Sequence, residues 1–85
     1  MIKVAILGYG TVGSGVFEII NENKELITAN AGEEIDVKYV LDLREFPGDP
    51  CESVLVHDYN VILNDPEVEV VIEGNGWVKT KRMIL

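Results

Sequence analysis

Gly8, Gly10 and Gly13 stand in Gly8-Tyr9-Gly10-Thr11-Val12-Gly13-Ser14-Gly15, directly after a short apolar run from Ile2 to Leu7. A strand that feeds a glycine turn and then a helix is the setting in which this spacing holds the pyrophosphate of a dinucleotide. Gly8 lets the chain turn sharply out of the strand. Gly10 presents no side chain where the pyrophosphate approaches, and Gly13 lets the helix sit close on the strand. The free N–H groups and positive end of that helix then face the anion. In such sites an acidic residue closing the second strand accepts hydrogen bonds from the adenosine ribose, and Asp42 holds that place. The separation from Gly13 to Asp42 is 29 residues, against about 20 in the usual fingerprint. The long helix and the loop at 30–34 take up the excess. Arg44, two residues on, could instead pair with the extra phosphate of NADP. The choice between NAD and NADP stays open at this point.

Other reactive residue types lead nowhere comparable. His57 is the single histidine and Cys51 the single cysteine. His57 has no Ser, Cys or carboxylate constellation around it in sequence, and reads as a half-buried histidine at a strand end. Cys51 reads as a bystander in a polar Pro-Cys-Glu loop. One cysteine makes no internal disulfide, which suits a reducing, cytoplasmic setting. No metal-ligand spacing occurs. Nothing supplies a catalytic acid, base or nucleophile.

The elements that must position the glycine turn follow from periodicity. Val12, Val16, Ile19, Ile20 and Ile27 lie at helical offsets, giving one helix over 12–27 with an apolar face. Asn30 and Gly32 offer its left-handed stop. Ile35 to Leu41 reads as a second strand, Phe46 to Pro50 as a loop, and Ser53 to Val56 as a short third strand. Asp58 would cap a brief helix through Leu63. After the turn Asn64-Asp65-Pro66, Glu67 to Ile72 makes a fourth strand, continuously apolar at its end as parallel strands are. The expectation is an α/β chain, an incomplete doubly wound parallel sheet of about four strands in the order β-α-β-β-α-β. With one long helix available, one sheet face should be thinly covered.

Eighty-five residues make one small domain. A formal net charge of −8 argues against a nucleic-acid surface, which needs clustered Lys and Arg. No run is long enough for a membrane span, and the N-terminal apolar stretch ends in glycines too early for a secretory signal. All 15 acids lie in residues 1–73, whereas the last twelve residues hold Lys79, Lys81 and Arg82 and no acid.

Residues 2–16, together with Val37 to Arg44 and Asn64 to Glu73, closely resemble the opening of homoserine dehydrogenases. The run Thr11-Val12-Gly13-Ser14-Gly15 is more specific than the glycines alone. The resemblance implies a Rossmann-like fold and NAD(P)-dependent interconversion of aspartate 4-semialdehyde and homoserine, on the route to threonine and methionine. It implies a homo-oligomeric parent enzyme. It would place Gly8, Tyr9, Gly10, Thr11, Val12, Gly13 and Gly15 around the pyrophosphate, and Asp42 and Arg44 beside the adenosine ribose.

The likeness ends at Glu73. A family-like continuation carrying one inserted base would be translated as Gly74-Asn75-Gly76-Trp77-Val78-Lys79-Thr80. The expected organisation is therefore an NAD(P)-binding half-domain over 1–73 and a non-family, frameshifted tail over 74–85. A chain of that kind binds cofactor weakly and lacks the catalytic region. The alternatives are a non-enzymatic NAD-sensing module and a fragment of another NAD(P)-dependent dehydrogenase.

Overall fold

The structure, a computed structural model, describes residues 2–73 and 78–80. Strand β1 (Ile2–Leu7) runs into the glycine turn and helix α1 (Thr11–Glu22), followed by helix α2 (Lys24–Ala31) and strand β2 (Ile35–Leu41). A 3-10 turn (Pro50–Val54), strand β3 (Leu55–Val56), helix α3 (Tyr59–Leu63), strand β4 (Val68–Glu73) and strand β5 (Val78–Thr80) complete the described chain. The sheet order is β3-β2-β1-β4-β5. Strands β1 to β4 pair in parallel, which is the expected doubly wound arrangement. The fifth strand is a departure: β5 pairs antiparallel with Val70 to Ile72 and covers the edge of β4, whose backbone groups would otherwise face solvent unpaired. Strand β5 lies within the expected non-family, frameshifted tail over 74–85, of which residues 74–77 and 81–85 lie outside the described residues.

The expected single helix over 12–27 is two helices. Asn23 sits outside helical geometry (φ −114°, ψ 28°). Its side-chain amide donates to the Ile19 carbonyl at 3.3 Å, the local competition with the helix ladder that breaks helices at Asn. Gly32 ends α2 in the left-handed region as expected. The apolar face also differs from expectation. Phe17 and Ile20 are buried and Val16 packs beside them, while Val12 and Ile19 are exposed.

Two bulges set the faces of the sheet. Ala5 pairs with Tyr39 although Val4 pairs with Val37, so Lys38 is an extra residue in β2. Glu69 is likewise extra in β4. An inserted residue shifts the side-chain alternation. Val37 and Val40 consequently share one face with Ile6, where Phe17 and Ile20 of α1 pack on them. Tyr39 and Leu41 turn to the other face with Ala5, Val68, Val71 and Ile62. Among the described residues, that second face has only the five-residue α3 on it, and Leu7, Tyr39 and Leu41 stay partly exposed. The thin cover agrees with the expectation.

The third element differs too. Where a strand was expected from Ser53, the chain turns in a 3-10 helix through Val54. Asp49 accepts the Cys51 N–H at its start and Pro50 stands in its first turn. This turn folds Cys51 inward, so the cysteine is fully buried in the core and its thiol pKa is raised by burial. It is a packing residue rather than part of a solvated loop.

Candidate functional site

The glycine turn lies at the carboxyl end of β1, the central parallel strand, flanked by β2 and β4. Ligand crevices of open α/β sheets lie at that end, where connections leave to opposite sides. Gly8 has φ +91°, in the left-handed region that excludes ordinary side chains. A Cβ at Gly13 would lie 1.9 Å from the Gly8 carbonyl oxygen, so α1 can approach β1 this closely only through glycine. Gly8 and Gly10 themselves face open space, with nothing within 4 Å of a Cβ placed at either. Helix α1 starts at Thr11, and no side chain caps it. The N–H groups of its first turn have no acceptors within the helix. The first helical bond is Ser14 N–H to Gly10 O at 2.8 Å.

Thr11 and Val12, both exposed, form the first turn of α1, and Gly13 is buried beneath it. Gly15 lies one turn further on, and a Cβ there would meet open space. Glycine inside a helix costs about 0.5–1 kcal/mol relative to alanine. Gly15→Ala is therefore expected to raise the midpoint of thermal unfolding by about 2–8 °C. An unchanged or lowered midpoint in circular dichroism melts would contradict this reading of position 15.

Asp42, 33 residues from Tyr9 in the chain, is brought to the turn by the pairing of β1 with β2. Its Oδ2 accepts the Tyr9 backbone N–H at 2.9 Å. Arg44 folds back on the same carboxylate. Its backbone N–H and Nε both reach Oδ1, at 2.9 and 3.0 Å, and its Nη2 reaches Oδ2 at 2.9 Å. These bonds, Arg44 first, hold the Asp42 carboxyl well below the usual carboxylate range against the opposing effect of burial. A carboxylate has about four lone-pair sites, and all are engaged. The Arg44 side chain is 63% exposed, while the Asp42 side chain is only 10% exposed. Arg44 also lies over the Phe46 ring, 5.1 Å from its centroid. It is an exposed cover on a nearly buried acid.

His57 departs from expectation. It follows β3 and is exposed rather than half-buried. Its Nδ1 donates to the Asp42 carbonyl at 2.6 Å, and its Nε2 lies 3.0 Å from Glu45 Oε1. It braces the backbone at the acid without facing the glycine turn. Asp49 is the residue that sequence reasoning passed over, noted there only as part of a loop. It accepts the Tyr9 hydroxyl at 2.6 Å. The available signal was Asp-Pro, an acceptor followed by proline, which marks a capped turn. A groove of about 770 Å³ runs along Asn21 to Leu26 and Glu34 at the opposite end of α1 from the glycine turn. None of the predicted site residues lines it. No group of three or more His, Cys, Asp and Glu among the described residues could hold a metal ion.

The chain is 37% identical to the homoserine dehydrogenase of Bacillus subtilis over 99% of its own length, which is 20% of that enzyme. It is 32% identical to the homoserine dehydrogenase of Helicobacter pylori over 98% of its length, again 20% of the relative. The relatives it matches are homoserine dehydrogenases, and the chain is similar to a part of them. It spans about a fifth of the length of the relatives it matches. A crystal structure of the Staphylococcus aureus homoserine dehydrogenase superposes on 85% of the chain with a TM-score of 0.73 at 36% identity, covering 19% of that protein. No protein-family model matches the chain. The Rossmann-like α/β architecture is thus that of the homoserine dehydrogenase it superposes on. No helix among the described residues is long and apolar enough to cross a membrane.

Proposed function

We propose that residues 1–73 are the NAD(P)-binding portion of a homoserine dehydrogenase, with the pyrophosphate over Gly8 to Gly13 and the adenosine ribose beside Asp42. The observation that carries this is the 2.9 Å bond from Tyr9 N–H to Asp42, which fastens the ribose-side acid to the phosphate-side turn. The donor set fits such a ligand. It combines an uncapped helix start for the diphosphate, an open approach at Gly10, and a near-buried carboxylate for hydroxyl groups. When bound, the nicotinamide ring would exchange a hydride with homoserine or its aldehyde partner. The residues described here bind and orient the other end of the cofactor. They supply no proton-transfer group to the reaction.

Arg44 is proposed to decide how the second ribose position is read. While it lies on Asp42 it neutralises the acid and can meet a 2′-phosphate. Once it swings out, the carboxylate is free for the two hydroxyls of NAD. Arg44→Ala is expected to weaken NADP binding relative to NAD by about tenfold, the worth of a charge-assisted contact to phosphate. Calorimetric titration of both cofactors measures the ratio, and an unchanged ratio would remove Arg44 from the site. Failure of either cofactor to bind the unaltered chain at millimolar concentration would count against the reading as a whole.

A further inference from the structure

The side chain between the first two glycines points inward. Tyr9 is 9% exposed, and its ring packs edge-on against Phe17 (5.8 Å, 78°) and Phe46 (4.9 Å, 66°). Its two polar ends reach two different acids. The backbone N–H donates to Asp42 Oδ2 at 2.9 Å, and the hydroxyl donates to Asp49 Oδ1 at 2.6 Å. The same Asp49 oxygen accepts the Cys51 N–H at 3.0 Å, so the acid is held by the turn it caps.

We infer that Asp49 is a positioning residue for the adenosine end of the dinucleotide, anchoring Tyr9 so that its N–H aims the Asp42 carboxylate at the ribose hydroxyls. This rests on the dinucleotide reading above. A spacing of 2.6 Å between a phenol and a carboxylate is that of a charge-assisted bond, roughly twice as strong as a neutral one. Burial, with Asp49 beside it, pushes the Tyr9 phenol far above its ordinary pKa, and the Tyr9 hydroxyl lowers that of Asp49. The donor therefore stays protonated and the acceptor charged through the neutral range. Ring packing alone restrains Tyr9 sideways. The hydroxyl bond fixes its depth, and hence the place of its N–H. The fingerprint asks nothing of the residue between its first two glycines, so a tyrosine bonded in this way adds a restraint that the glycines do not supply. Asp49 touches no ligand itself in this scheme.

The test compares ADP with 2′-deoxy-ADP by calorimetry on the full 85-residue chain, because global loosening weakens both probes alike. A hydroxyl accepted by a carboxylate should make ADP bind about tenfold more tightly. In Tyr9→Phe, which keeps the ring packing, and in Asp49→Ala, that preference is expected to shrink to about threefold or less. Asp49→Asn retains a carbonyl oxygen able to accept from both Tyr9 and Cys51, and is expected to restore the preference to within about twofold of the unaltered chain. An undiminished preference in Tyr9→Phe would overturn the positioning role while leaving the dinucleotide reading standing. So would an asparagine variant that behaves like alanine. No ADP binding by the unaltered chain would overturn both.

Discussion

Gly13→Ala is expected to collapse the glycine turn and abolish dinucleotide binding. The added methyl carbon would lie 1.9 Å from the Gly8 carbonyl oxygen, 3.0 Å from its carbonyl carbon and 3.4 Å from Ile6 Cγ2. The nearest obstacle is backbone, so no rotamer change relieves it. Helix α1 must retreat from β1 by about 1 Å, taking Phe17 and Ile20 out of their packing against Val37 and Val40, or Gly8 must leave its turn. Overpacking of this kind costs about 1–3 kcal/mol. In a domain this small, that corresponds to about 10–20 °C in thermal midpoint at the upper end. Circular dichroism melts and a cofactor titration measure the two consequences. A variant that melts with the parent chain and binds cofactor equally well would show that α1 is not seated on the turn as described. Gly15→Ala, two residues on and unobstructed, is the matched control.

The second large effect is expected from Asp42→Ala. Its carboxylate receives four donors: the Tyr9 N–H and three from Arg44. The exposed guanidinium pair contributes little, being screened by solvent. The bond from Tyr9 is the costlier loss, because an amide left without a partner at a nearly buried site forfeits about 1–3 kcal/mol. Stability should therefore fall by about 2 kcal/mol in urea unfolding, and affinity for NAD by at least about tenfold. The pH dependence has the same origin. A carboxyl whose pKa is lowered on folding contributes stability that is present above the unfolded-state value, near 3.9, and is lost as pH falls through the folded-state value. Asp42, Asp36, Asp49 and Asp65 are all shifted downward, so unfolding should begin below about pH 4. A variant at position 42 with parental stability and parental NAD affinity would dismiss the acid from the site.

Much of this was legible in the sequence because it depends on local chemistry. The limits of β1 and β2 follow from short runs rich in apolar and β-branched residues, interrupted only by Lys3, Asp36 and Lys38. The cap at Asp58 and the stop at Gly32 follow from single residues with one conformational use. Asp42 was singled out despite its long spacing, and the structure brings it to the Tyr9 N–H, because its position relative to the end of β2 matters and the count of intervening residues does not. The features that escaped depend on partners distant in the chain. Lys38 and Glu69 become bulges only against the register of β1. Asn23 breaks the helix through a side-chain bond that the helical pattern of its neighbours conceals. The inward path of Cys51 needs the turn that Asp49 caps. Arg44 was read as facing a ligand, and in the structure it lies on the acid beside it, the nearest opposite charge. Strand β5 pairs where β4 offers an open edge, which no count of apolar residues signals.

The central claim is that linked phosphates sit over the bend from β1 into α1, with a ribose at the end of β2. Backbone amide NMR of the 15N-labelled chain titrated with NAD tests it most directly. The expected result is saturable shifts at Gly8 to Gly13 together with Asp42 and Arg44, leaving Lys24 to Ala31 unmoved. Shifts centred on the groove at Asn21 to Leu26, or none at millimolar NAD, would contradict it.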